Sequence, residues 1–315
     1  MIEALLASAI LISSILLDIL YGEPKGKLLK LHPVVLCTSI SKLIVKPNSS
    51  RIHGLVAFII PVSTVLLTYT LIQYLALKTC FLAYVIVSIL ILKTTFSINL
   101  LYSIVVNAYR SMESGDWSTA RHYVQQIVRR NVYVLDEEHV VSAAIESLFE
   151  SLVDGYVSPL FYYPFLGVKG SLLQRAVNTM DSLIAYKTPE YMNEGYVSAL
   201  ADTIINYIPA RLTAILTVAS SLILKLNWRG SLKILLRDHS KTESLNAGWP
   251  ISAIAGALNV KLEKINSYSI GNPKEELTHK KIAEALKVYK LTTLLATLLI
   301  LTLTITIRIL LPWIP

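Results

Sequence analysis

Three carboxylates, Glu146, Glu150 and Asp154, stand four residues apart along one stretch of the chain. On an α-helix each step of four drifts by about 40°, so all three share a face. Like charges placed this way repel unless water, a cation or a basic partner intervenes. The spacing admits two readings. One is a magnesium site, because that hard ion takes carboxylate and phosphate oxygens and keeps several waters; the other is the solvated face of a helix at a membrane surface. Gly155 and Pro159 end the helix directly after Asp154, and the apolar aromatic run Pro159–Phe165 follows, which makes the stripe resemble a cleft wall.

Three further clusters carry polar chemistry. Arg175, Asn178, Asp181 and Lys187 offer two cations, an amide and a carboxylate within about three helical turns, suited to substrate phosphate or to a salt-bridged helix. Asp202, Asn206 and Arg211 stand at the mouth of an apolar run, where ionisable residues are functional candidates and where Arg211 also suits snorkelling to headgroups. Asn246-Ala247-Gly248-Trp249-Pro250 reads as a tight turn presenting an aromatic and free backbone amides to an anion or a flat ligand. His32-Pro33 and Gly22-Glu23-Pro24 add polar points beside the first apolar run. No G-x-x-x-x-G-K-[ST], strand-borne G-x-G-x-x-G, H-E-x-x-H or G-x-S-x-G occurs.

The elements that must hold these groups are apolar helices. Of 315 residues 54% are hydrophobic and only 16% charged, against about 25% charged in a soluble domain; the mean hydropathy is +0.56. Runs near 2–20, 54–77, 79–106, 204–226 and 291–311 approach the roughly 20 residues that cross a bilayer. The expected fold is an all-α, multi-pass membrane bundle in the cell membrane, one domain over 1–315. About five spans are joined by amphipathic or partly embedded helices. A polar segment, 107–203, carries most of the candidate residues, and a basic loop occupies 227–290. The start Met1-Ile2-Glu3 has no basic n-region, so the first run reads as a retained span.

Lys25, Lys27, Lys30, Lys42, Lys46 and Arg51 follow the first run with Glu23 the only acid, which places that loop inside and the N-terminus outside. Strict alternation then puts the basic loop 227–290 outside. Either an embedded element near 140–167 or a re-entrant 204–226 removes that conflict. The net charge of +8 lies between hydrophobic runs, where topology explains it without a nucleic-acid partner. Cys37 and Cys80, the only cysteines, form neither a disulfide framework nor a zinc motif.

Taken in order, these pieces resemble the CobD/CbiB (adenosylcobinamide-phosphate synthase) family. The resemblance runs from Asp18 and Gly22-Glu23-Pro24 through His32-Pro33-Val34 to Ala143–Gly155 and Ser158-Pro159-Leu160-Phe161. It continues through Ala176–Ser182, Tyr186-Lys187, Ile208–Thr213 and Asn246–Pro250, then Ala255-Gly256-Ala257-Leu258. Departures stand at Ser151, Leu200, Thr203 and Leu245, where the family usually has Asn, a nearby Arg, an acid and Pro.

The resemblance implies a cobalamin-biosynthesis ligase. Its ATP-dependent reaction joins adenosylcobyric acid to aminopropanol or aminopropanol O-phosphate, with other pathway enzymes as further partners. On that implication Glu146, Glu150 and Asp154 hold magnesium, and Asp181 and Asp202 join them as catalytic carboxylates. Arg175, Asn178, Lys187, Arg211, Asn246, Gly248, Trp249 and His32 bind substrate or phosphate. A secondary transporter, which would build proton or sodium coupling from carboxylates inside a bundle, and a membrane scaffold for pathway enzymes are the rival classes.

Overall fold

The computed structural model describes residues 1–24, 26–186 and 188–311; Lys25 and the candidate phosphate holder Lys187 lie outside the described residues. In chain order the helices are α1 (Ile2–Tyr21), α2 (Pro33–Ile44), α3 (Arg51–Thr79), α4 (Phe81–Lys93), α5 (Asn99–Glu113), α6 (Trp117–Gln125) and α7 (Glu137–Leu152). Then come α8 (Ser158–Phe161), α9 (Tyr163–Ile184), α10 (Tyr196–Ile205), α11 (Tyr207–Ile223), α12 (Trp228–Asp238) and α13 (Gly248–Ala257). Strands β1 (Lys261–Lys264) and β2 (Tyr268–Gly271) follow, and α14 (Lys280–Leu310) ends the fold. The helical expectation holds, and the antiparallel hairpin, with Leu262 opposite Ile270, is an addition to it.

The chain gathers into two compact units. The first comprises Met1–Ser97, Ser158–Ile205 and Leu299–Pro315; the second comprises Ile98–Val157 and Asn206–Leu298. In the first, α1 packs on α4, and α3 and α9 pack on each other and on α2 and α10. Ala4, Ala7, Leu11, Ser14 and Asp18 form the buried stripe of α1, spaced at three and four as helical geometry requires. The opposite face exposes Leu5, Leu16 and Leu20, so this helix is apolar on every side. The segment before α10 is anchored by Glu194, a fully buried carboxylate that accepts from the Lys46 amide at 2.8 Å and lies 3.1 Å from His53 Nδ1. Gly54 is required there, since a Cβ would stand 2.2 Å from the Glu194 carbonyl.

In the second unit α7 is the centre. Asp136 caps it by accepting from the His139 amide at 2.9 Å, with Glu137 and Glu138 in the first turn where the helix dipole favours acids. Val140 to Phe149 are all buried, under α5, α6, α13 and the hairpin. The serine and threonine hydroxyls of α11 are satisfied locally. Thr213, Thr217, Ser220 and Ser221 of α11 each donate to the carbonyl four residues back, and Thr292 of α14 meets the Ser220 hydroxyl at 2.9 Å. Asp238, fully buried, draws Arg237, Lys241 and the Gly271 amide to within 2.8 Å and so ties α12 to β2.

Among the described residues three helices, α1, α3 and α14, are long and apolar enough to cross a membrane. Within the expected spans at 79–106 and 204–226 the helices are shorter than the apolar runs. The first is broken after Lys93, where the Thr94 and Thr95 hydroxyls bond back to Ile91 and Leu92 and end α4. At 1.5 Å per residue α4 is about 20 Å long, short of the roughly 30 Å hydrocarbon core. The second is divided between α10 and α11 at Asn206, which leaves α11 about 26 Å long by the same rise.

Candidate functional site

The carboxylate stripe separates into unlike members. Glu146 is 4% exposed, and both its oxygens have donors: Arg130 Nη2 at 3.0 Å and Ser142 Oγ at 2.6 Å on Oε1, and the Tyr268 hydroxyl on Oε2. Burial, followed by the charge and hydrogen bond of Glu146 and the charge of Glu150, drives the Tyr268 phenol far above its usual range and keeps it a donor. Ser142 also accepts from the Glu263 amide at 2.8 Å, so the network fastens β1 to α7. Glu150, one step of four further, is exposed. Asp154 is half-buried and falls in the π-helical turn Val153–Val157, which turns it off the regular i, i+4 row. Among the described residues no three His, Cys, Asp or Glu side chains form a metal-ligating group. Glu146 is thus engaged by Arg130, Ser142 and Tyr268.

Also within the second unit, two clusters read separately in the sequence meet. The Arg211 guanidinium lies over the Tyr207 ring, its Cζ 3.3 Å from the centroid, and over the Trp249 ring at 4.5 Å. Its Nη1 donates to the Tyr207 carbonyl at 2.7 Å and to Asn246 Oδ1 at 3.1 Å. The His239 ring packs against Trp249, centroid to centroid 4.4 Å. Arg211 thus makes cation–π contacts with two aromatics. The expected open turn at 246–250 is corrected: Gly248, Trp249 and Pro250 form the first turn of α13 and are buried or half-buried. Gly248 serves close packing, since a Cβ would lie 2.0 Å from the His239 carbonyl.

In the first unit, Arg175, Asn178 and Asp181 form a half-buried stripe on α9 at a spacing of three. Asn178 Nδ2 donates to Asp202 Oδ1 at 3.2 Å, which joins α9 to α10. His32 caps α2, its Nδ1 accepting from the Val34 amide at 3.3 Å, while its Nε2 lies 3.6 Å from Glu23 Oε2. Lys93 reaches the same carboxylate at 3.2 Å and Asp18 Oδ1 at 3.2 Å. Burial raises the Glu23 pKa, but hydrogen bonds from His32, Lys93 and Ser97 and the Lys93 charge outweigh it and lower it to about 2.

A family model described as CobD/Cbib protein matches residues 11–298. The chain belongs to the CobD/CbiB family. It is similar to the probable cobalamin biosynthesis protein CobD of Methanothermobacter thermautotrophicus, 36% identical over 296 residues that cover 92% of this chain and 95% of the relative. The proteins of the same printed name from Aeropyrum pernix and Thermoplasma acidophilum are 37% and 38% identical, covering 81% and 89% of this chain and 80% and 91% of their own. No solved structure matches.

Within this CobD/CbiB chain the sequence reading passed over Lys93, Arg130, Tyr207, His239 and Tyr268. Lys93 had a signal: a lone cation in an apolar run needs a buried partner, and Asp18 at the end of another run is the natural one. Arg130 and Tyr268 are 16 and 122 residues from Glu146, and nothing local to them marks the pairing.

Proposed function

We propose that this chain is a multi-pass membrane enzyme of cobalamin biosynthesis, an amide ligase that joins the free carboxyl of adenosylcobyric acid to aminopropanol or its phosphate. The observation that carries the reading is the family match over residues 11–298. The relatives' printed names supply the pathway. Three helices long and apolar enough to cross a bilayer support the membrane placement.

The chemistry must activate a carboxylate. Its oxygen attacks the terminal phosphorus of ATP and ADP leaves; the amine then attacks the acyl carbon, phosphate leaves, and the nitrogen loses a proton. Glu150 and Asp154 would hold magnesium, which neutralises phosphate charge, with the water and phosphate oxygens that this ion ordinarily keeps. Arg211, held against the Tyr207 and Trp249 rings, presents guanidinium donors suited to a phosphate or to the amide fringe of a corrin. Arg175 and Asn178 are of a type to bind phosphate, and Asp181 and Asp202 to orient and deprotonate the ammonium. Glu146 positions α7 and the hairpin.

Incubating the purified, detergent-solubilised chain with adenosylcobyric acid, ATP, magnesium and each amine donor, followed by mass analysis, tests the reading. A corrinoid mass gain of donor minus water is expected and names the donor. An unchanged corrinoid with well-folded protein would reject ligation and turn attention to transport or scaffolding.

A further inference from the structure

The first unit contains a cavity of about 510 Å³ to which none of the candidate residues contributes. Its walls come from the start of α1, the last turns of α3, the start of α4, the α9 segment around Gly167 and the end of α14. Gly167, at φ 61°, breaks α9 in this wall. The ends of all three helices long enough to cross a membrane therefore meet at one place, and by length alone that place is the boundary between hydrocarbon and headgroups.

The charge of the cavity is set by three residues. Arg308, near the end of α14, lines it and is only 6% exposed. An arginine at the end of an apolar helix ordinarily extends its head into water; this one is enclosed by protein. Lys169 and Glu3, both exposed, complete the charged lining, so the site carries one net positive charge. Two neutral polar groups in the wall are engaged internally: the Tyr163 hydroxyl donates to the Ala7 carbonyl at 2.9 Å, and Gln73 donates to Ser88 at 2.9 Å. Leu77 and Leu166, also in the lining, are 50% and 48% exposed, which makes part of the wall apolar and open.

A buried cation beside an open apolar wall at headgroup level fits an amphiphile with an anionic head. We propose that this cavity binds an anionic phospholipid, its phosphate against Arg308 and Lys169 and its acyl chain along Leu77 and Leu166. Guanidinium and ammonium donors make charge-assisted bonds to phosphate oxygens, and the leucines remove chain methylenes from water. This site is independent of the ligation reading, and its test does not use corrinoid.

Thermal unfolding of the purified chain in detergent, titrated with dioleoyl phosphatidylglycerol, dioleoyl phosphatidylcholine or inorganic phosphate, decides the matter. A lipid that binds only the folded chain raises the midpoint in proportion to its saturation. Phosphatidylglycerol is expected to raise it, with an apparent affinity that falls about tenfold in Arg308→Gln and about threefold in Lys169→Gln. Phosphatidylcholine, whose phosphate is offset by its own ammonium, and inorganic phosphate are expected to do little. Stabilisation by inorganic phosphate equal to that by phosphatidylglycerol would overturn the lipid assignment in favour of a soluble phosphate compound. No response to the anionic lipid, or an equal response in wild type and variants, would overturn the site itself. Should Arg308→Gln fail to fold, the exposed Lys169→Gln variant decides alone.

Discussion

In the first unit one lysine serves two carboxylates; in the second one carboxylate collects a cation and two hydroxyls. Lys93 lies 3.2 Å from both Asp18 and Glu23, and its side chain is 6% exposed. Glu146 is as deeply enclosed, yet it draws on Arg130, Ser142 and Tyr268. Burying a charge costs several kcal/mol unless partners replace its hydration, so the number and kind of partners set how each network fails. Remove the lysine and two anions face each other in a poor dielectric. Take one donor from Glu146 and two others stay.

That contrast yields a ladder of effects on stability. Lys93→Met should be the most damaging, at about 3–5 kcal/mol, because Asp18 keeps its charge, fully buried, but loses the cation beside it; a large fall in the unfolding midpoint in detergent checks it. Glu146→Gln keeps the shape and an acceptor but leaves Arg130 without its anion, for a loss of about 2 kcal/mol, and Tyr268→Phe should cost less. If Glu146→Gln proves as severe as Lys93→Met, the hydroxyl donors contribute nothing and the contrast fails.

Acid sharpens the same comparison at a smaller scale. Glu23 titrates at about 2 in the folded chain against an ordinary 4.5, so its contribution is whole above about pH 4.5 and is lost as pH falls through about 2. A quarter of that side chain reaches solvent, which holds the effect to about 1 kcal/mol. Glu23→Gln should lower the midpoint at neutral pH by that contribution, flatten the acid limb of a midpoint-against-pH curve between those values, and converge with wild type near pH 2.

The smallest effect on stability belongs to Glu150. Glu150→Gln, at an exposed position, should stay within about 0.5 kcal/mol of wild type while lowering corrinoid ligation about 100-fold, if this carboxylate holds the metal. Two residues four apart on one helix then divide, one holding the fold and the other serving the reaction. Unaltered ligation in that variant would return Glu150 to a plain solvated face.

How much of this was readable beforehand follows from the range of each signal. Apolar runs, the Asp136 cap with Glu137 and Glu138 behind it, and the ordered motifs from Asp18 to Leu258 are local, and they carried the helical class and the family. The alternation around Leu262, with Asn266-Ser267 between two short stretches, was a hairpin signal that the neighbouring helical pattern masked. Spacing placed Glu146 and Glu150 on one helix, correctly, but a shared face spans about 40° per step, wide enough to carry one residue into the core and the next into solvent.

The sequence by itself determined the kind of molecule and the residue types available for chemistry, because hydropathy, caps and motif order depend on neighbours along the chain. Only the tertiary structure decided which charges are spent on one another. Lys93 finds Asp18 across 75 residues, Arg211 finds Trp249 across 38 and Glu146 finds Tyr268 across 122. A buried charge must be paired wherever the fold brings a partner, and that requirement acts through space with no trace in local spacing.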